Sequence, residues 1–426
     1  MNQGGASGQS GRSLALGFGT AVAMWTVGYV AMMSPGLIVG ELLFAATLAC
    51  LIVGGMIAGR HVAPGETSWA AGSKAGLVTG LVNLLLIGSL AGSQARDSLR
   101  MWLAWAVGNL IASVALGAVG GAIGGRGTVS REAQPWFHRF TSVAAATVFL
   151  LLITGGLVTG LEAGLAVPDW PNSFGHNMLL YPLSEMIGGV YYEHAHRLYG
   201  MLVGVTAITL VVSAFMSDRR RWFRTFAVLY LILVCVQGLM GGMRVTEIST
   251  ALAIIHGVFG QIVFSTIVLM AAATSPTWTS DRQSIETRGA RTDRTWTTAL
   301  VIMLLGQLVL GAMYRHLLHV HILYTHILWA AMVTGVLIFA AGRAWGVNRE
   351  LPVLPRIGRA MVHTVGLQIA LGIVAMIAVW SRPQGGTSIP VWEVVFTTAH
   401  QATGALLLAL SVLLMAWTRR LLRPGY

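Results

Sequence analysis

Residues 191–200 read YYEHAHRLYG, and Glu193, His194, His196 and Arg197 within them can ligate a metal, move protons or bind anions. They stand at the head of an apolar run, LYGMLVGVTAITLVVSAF. Ionisable groups beside hydrocarbon are costly and are read as functional by default. Three further histidines hold similar places: His256 in AIIHGVFGQ, His326 in LYTHILWA and His400 in TTAHQATGA, each near the start of an apolar run. An imidazole nitrogen is a good axial ligand for heme iron, and an apolar helical bundle supplies the walls for a porphyrin. Glu193 is three residues before His196, on one helical face, where a carboxylate is favoured by the helix dipole. It is expected to orient the site, carry a proton or meet substrate. Arg197 is expected either to pair with a heme propionate at the outer rim or to snorkel towards headgroups.

The remaining histidines carry less. His194 lies about 200° around the helix from His196, so the two cannot face one site. His316 and His321 are the alternatives to His326. His176 and His319 fall in outer loops, and His61, His138 and His363 fall near the cytoplasmic side. A Glu-x-x-His pair also marks di-iron carboxylate bundles, which need two such pairs and two more glutamates. This chain has only Glu193/His196 and too few carboxylates in its apolar runs.

The elements that position these residues are membrane helices. Of 426 residues 55% are hydrophobic and 10% charged, with mean hydropathy +0.72, against about 25% charged in soluble globular chains. A span needs about 20 apolar residues. Twelve runs qualify: 14–33, 37–59, 75–94, 102–124, 140–160, 194–216, 223–243, 251–273, 297–313, 322–342, 359–380 and 396–417. Strand alternation is absent, which argues against a membrane barrel. The 52 glycines suit close helix packing in lipid. Cys50 and Cys235 lie in apolar runs and imply no disulfide framework. The start, MNQGGASGQSGRS, reads as a short flexible tail with no signal peptide.

With the N-terminus inside, only Arg96, Arg100, Arg197, Arg244, Arg315 and Arg382 of the 27 basic residues fall outside. That bias predicts twelve helices with both termini cytoplasmic, in the inner membrane. The formal charge of +12 is a topology and anionic-lipid signal. No basic patch is interleaved with aromatics, so nucleic acid is not an expected partner.

The chain repeats itself. GGLVTGLEAG (155–164) is echoed by GQLVLGAMYRH (306–316), and VQGLMGGM (236–243) by LQIALGIV (367–374). AIIHGVFGQ is echoed by TTAHQATGA, and YEHAHRLYG more loosely by LYTHILWA. The expected fold is all-α and polytopic: a four-helix region over 1–126, then two pseudo-symmetric four-helix bundles over 139–275 and 295–418. Two histidines per repeat, on alternate helices at one depth, can hold a planar metal macrocycle from both faces. The Q-x-x-x-G segments read as ordinary small-residue packing signals.

VTGLEAGLAVPDWP, then YEHAHRLYG, QGLMGGMRV and AIIHGVFGQ, resemble the heme A synthase family of cytochrome oxidase assembly proteins. QLVLGAMYRH, the TH of the next run and AHQATGA are similar to that family's second half, so the resemblance covers about 139–418. It implies two heme-holding bundles, with His196 and His256 at the heme O substrate site and His326 and His400 at a resident heme b. It implies that Glu193 is the functionally important acid, and that the C8 methyl of heme O becomes the formyl of heme A. Heme O synthase and cytochrome oxidase assembly factors are the implied partners, with the electron donor unidentified.

The chain departs from the family in two ways. Many members carry a cysteine pair flanking Pro-Asp-Trp-Pro; here those positions are Val167 and Ser173, so no thiol relay acts there. The region 1–126 adds four spans with no evident ligand set; Glu41 is the only acid within them. Two other readings compete: a di-heme electron carrier sharing the four histidines, and a transporter or assembly scaffold with no heme.

Overall fold

A computed structural model describes residues 3–33, 40–90, 98–127, 129–130, 134–280, 284–382 and 389–425, with side chains from residue 9 onward. Arg96 therefore lies outside the described residues. Twelve helices are long and apolar enough to cross a membrane. They are α1 Gln3–Met32, α2 Gly40–Arg60, α3 Ser68–Leu90, α4 Leu99–Gly124, α5 Trp136–Gly160 and α6 Gly189–Ser217. The rest are α7 Arg221–Thr246, α8 Thr250–Ala273, α9 Ala290–Leu317, α10 Val320–Gly342, α11 Val353–Trp380 and α12 Val391–Leu421. At 1.5 Å of rise per residue each reaches at least the roughly 30 Å of a hydrocarbon core. The protein is thus an all-α polytopic membrane protein; its described strands are two short pairs, Asn172–Ser173 with His176–Asn177 and Ile285–Thr287 with Leu422–Pro424.

The chain divides into two compact units, 1–147 with 171–232, and 148–170 with 233–426. In the first, α4 packs between α2 and α3 through glycines. A Cβ on Gly72 would lie 2.1 Å from the carbonyl oxygen of Gly117, and one on Gly55 2.3 Å from the same atom. Gly120 and Gly124 meet the carbonyls of Ile52 and Met56 in the same way. Backbones this close gain dispersion contacts that no larger residue permits.

From Gln3 onward the expected N-terminal tail is helical instead. Arg12, with a side chain 2% exposed, pairs with Glu66 at 2.8 Å, and its other Nη donates to the His61 carbonyl at 2.6 Å. A buried charge needs such partners, and meeting them carries α1 past the apolar run that marked its start.

Further along, α1 lies against α6. Trp25 meets Tyr199 edge-on with ring centres 5.6 Å apart, Tyr29 stacks on Tyr191 at 5.5 Å, and the Tyr191 hydroxyl donates to the Tyr29 carbonyl at 2.7 Å. The N-terminal helices therefore buttress the helix that carries Glu193 and His196. Glu41 sits exposed in the first turn of α2.

In the second unit, α9, α10, α11 and α12 enclose a core of Leu300, Leu304, Val333, Leu337, Met361 and Leu408. The ends carrying Arg343 and Arg294 are pinned by polar bonds: Arg343 to Asp293 at 2.6 Å, and Arg294 to the Arg419 carbonyl at 3.1 Å.

Candidate heme-holding site

His326 lies in the second turn of α10 and His400 in the third turn of α12. Their ring centres are 6.4 Å apart, with planes crossed at 72°. A ligating imidazole nitrogen sits roughly 2 Å from its metal and about 1.1 Å from its own ring centre, so two imidazoles gripping one ion end to end stand roughly 6 Å apart. The observed separation fits one iron between them.

The donor chemistry fits as well. His400 Nδ1 donates to the Gln368 carbonyl at 3.2 Å, which leaves Nε2 as the nitrogen with a lone pair. Among the described residues no cluster of three or more His, Cys, Asp or Glu is arranged for a metal. A heme iron requires none, because the porphyrin supplies four of its ligands.

Each of three histidines rests in a seat that sequence reasoning missed. On the preceding helix a glycine faces the ring: a Cβ on Gly241 would lie 2.8 Å from His256 Cε1, on Gly311 3.1 Å from His326 Cε1, and on Gly372 2.8 Å from His400 Cε1. Four residues before each glycine stands a glutamine. Gln237 Nε2 donates to the His256 carbonyl at 3.0 Å, and Gln307 Nε2 to the His326 carbonyl at 3.2 Å. Gln368 Nε2 lies 3.4 Å from His400 Nε2. A glycine four residues after two of these histidines makes room in return: Gly260 faces Gln237 Nε2, and Gly404 faces Gln368 Nε2. The Q-x-x-x-G segments are thus imidazole cradles as well as packing stripes. The available signal was a glutamine four before a glycine on three of the helices that each precede a histidine-bearing one.

His196 lies in the third turn of α6, in the first unit, and His256 in the second turn of α8, in the second unit. The repeat aligns Gln307 with Gly156, so the cradle glutamine has no counterpart on α5. The room at Gly156 is taken by Gln401, whose Oε1 would lie 2.7 Å from a Cβ there.

Glu193 and Arg197 form an ion pair at 2.8 Å, with side chains 5% and 9% exposed. Arg197 also donates to the Asn172 carbonyl at 3.0 Å, tying the helix to the outer loop. His194 points elsewhere, as its spacing requires: it is fully buried, with Nδ1 3.1 Å from the Ser173 hydroxyl and its ring beside Tyr181. One position of the family's cysteine pair therefore buttresses His194, and the other, Val167, is buried core. Trp170 of the Pro-Asp-Trp-Pro segment lies flat on Gly242, where a Cβ would meet its ring at 2.3 Å. His321 is exposed, while His316 lines a cavity together with Arg244, Arg315, Arg382 and Glu162.

Residues 176–323 match the family model described as cytochrome oxidase assembly protein. That segment holds Glu193, His196, Arg197 and His256 and ends just before His326. Among similar proteins are the heme A synthases of Listeria monocytogenes serotype 4a and Listeria innocua serovar 6a, each 26% identical over 138 residues, 32% of this chain and 44% of theirs. A protoheme IX farnesyltransferase of Haloarcula marismortui is 28% identical over 136 residues, 31% of this chain and 28% of its own. The chain thus matches less than half the length of these relatives.

Proposed function

We propose that the chain, which over residues 176–323 matches the cytochrome oxidase assembly protein family model, belongs to the heme A synthase family and oxidises the C8 methyl of heme O to the formyl of heme A. The observation that carries the reading is the His326/His400 pair at 6.4 Å, cradled by Gln307 and Gln368. In this reading His326 and His400 hold a resident heme b, and His196 and His256 hold heme O as substrate. When bound, heme supplies the redox chemistry that a methyl oxidation needs.

The chain's own residues position and protect. The cradle glycines let each ring sit flush on the preceding helix, and the glutamines fix the histidine-bearing turns. Glu193 takes and passes the protons released from the methyl, and its pairing with Arg197 aims it. The apolar core around Leu304 and Leu408 excludes water. Two relatives named for heme A synthesis and for protoheme IX farnesylation support a substrate in which a heme side chain is the group altered. Heme O synthase and oxidase assembly factors are the proposed partners, in an inner membrane with both termini cytoplasmic.

The test is co-expression with a heme O source, followed by extraction and mass spectrometry of the heme. Heme A is expected. Recovery of bound heme O and heme b with no formyl product would point to the di-heme electron carrier, and a preparation without heme would leave only the scaffold.

A further inference from the structure

We propose that Arg349 and Arg359 hold the phosphate of an anionic phospholipid, in a cleft where α10 turns into α11. The proposal stands apart from the heme reading and needs only the membrane spans. Beyond Gly342 the chain makes a single π-helical turn, Arg343–Val347. Such turns are rare and frequently serve a site. Beside it opens a cleft of about 510 Å³, lined by Gly342, Trp345, Gly346, Arg349, Pro355 and Arg359. Gly342 and Gly346 leave room in it, for a Cβ on either would meet nothing within 4 Å.

The frame of the cleft is fixed. α11 lies flush against the π turn: a Cβ on Gly358 would lie 2.6 Å from the Ala341 carbonyl oxygen and 3.2 Å from the Trp345 nitrogen. Asp293 grips Arg343 at 2.6 Å and accepts from the Asn348 side chain at 3.2 Å. The Asn348 N–H donates in turn to the Arg343 carbonyl at 3.1 Å. Arg349 is thus presented by an ordered corner. Other arginines at this end of the unit are used by the fold: Arg343 on Asp293, Arg294 on the Arg419 carbonyl, and Arg420 on the Trp278 carbonyl and ring. Arg349 and Arg359 differ. Both are exposed, and among the described residues neither makes a hydrogen bond or ion pair within the chain. Glu350, next to Arg349, is exposed and pairs with neither. Two guanidiniums with free donors around one opening attract an anion, and their planar forks match phosphate oxygens with paired N–H bonds.

The surroundings say which anion. Trp345 is exposed near the end of Val320–Val347, a stretch apolar enough to cross a membrane. Tryptophan at such a place marks the level of the headgroups. Ile338, one turn before Gly342 on the same face, is exposed as well. A soluble phosphate gains nothing from apolar neighbours, whereas a phospholipid brings an acyl chain to lie along them. Basic pockets between membrane helices take acidic headgroups.

The experiment follows the thermal midpoint of the full chain in detergent as phosphatidylglycerol or phosphatidylcholine is added. Wild type should bind phosphatidylglycerol about tenfold or more tightly than phosphatidylcholine. Arg349→Gln and Arg359→Gln should each weaken phosphatidylglycerol about fivefold, and the double variant should treat the two lipids alike. Neither side chain bonds within the chain, so all three variants should keep the wild-type midpoint in detergent alone. Arg356→Gln, one turn earlier on α11 and outside the cleft, should bind as wild type does. An equal response of wild type to both lipids overturns the proposal, as does a preference that survives in the double variant. An equal loss in Arg356→Gln would reduce the site to diffuse surface charge, and the proposal fails. Inorganic phosphate at the lipid's concentration should not compete; if it displaces phosphatidylglycerol, the cleft takes a soluble anion and the lipid assignment is wrong.

Discussion

Glycine does two different jobs in two regions of this molecule. In α2, α3 and α4 it faces other main chains: Gly72 and Gly55 meet the Gly117 carbonyl, and Gly59 meets the Gly121 carbonyl. In α7, α9 and α11 it faces imidazoles: Gly241, Gly311 and Gly372 meet His256, His326 and His400. The spacing is the same small-residue stripe in both. What separates them is the glutamine four residues earlier, which a packing stripe does not need and a ligand cradle does. The first region spends its glycines on close backbones, the second on room for a ring that must point at something.

That contrast can be broken from either side. The largest effect is expected from His400→Ala, which removes one of the two proposed ligands and should empty the second site of heme, seen as loss of a low-spin heme equivalent in pyridine-heme assays. Gly372→Val comes next. Its branched side chain would begin 2.8 Å from His400 Cε1, so heme should be lost or turn high-spin although the ligand remains. In the first region, Gly72→Ala must part α3 from α4, where its Cβ would lie 2.1 Å from a carbonyl. A cost of about 1–3 kcal/mol is expected, read as a lower thermal midpoint with an unchanged heme spectrum. A heme change there, with no midpoint shift, would show the two regions to be less distinct than their contacts.

Gln368→Leu sharpens the comparison more gently. It keeps the glycine seat but loses the amide beside His400, so heme affinity should fall roughly tenfold, as for other partners of metal-ligating histidines. Unaltered affinity and redox potential would return the Q-x-x-x-G segments to simple packing.

The smallest effect concerns Glu66. Burial raises its carboxyl, but hydrogen bonds from Lys74, Arg12 and the Ala63 N–H outweigh that and hold it below the usual glutamate range. A depressed carboxylate stabilises the fold fully above the unfolded value of about 4.3 and ceases to do so as pH falls through the folded value. The thermal midpoint should therefore drop in acid. Glu66→Gln should start lower at neutral pH and converge with wild type as the pH falls.

Much of this was legible in the residues. The twelve spans follow from hydropathy, and their placement differs from the helices mainly at ends, most of all at α1, where Arg12 extends the helix to reach Glu66. The exclusion of His194 from the site of His196 follows from helical spacing, whereas the Glu193–Arg197 pair, although it stands at i and i+4, differs from the propionate or headgroup partner that the sequence reading gives Arg197. The cradles were not legible. The glutamine four residues before a glycine sets α7, α9 and α11 apart from α4, but that the pair seats an imidazole shows only once the facing helix is known. One cavity was hidden likewise: Arg244, Arg315 and Arg382 read as outer-side topology charges, and only the fold brings them together with Glu162 around one space.

The sequence by itself determined that this chain is a bundle of membrane helices, because hydropathy is a local sum over about 20 residues. It also determined which imidazoles stand near helix starts in a repeated order. Tertiary structure alone decided which glycine meets which ring, that the rings of His326 and His400 stand 6.4 Å apart, and that three arginines share a cavity. Those facts depend on contacts between helices far apart in the chain, and helix-on-helix register is set by packing that no local pattern encodes.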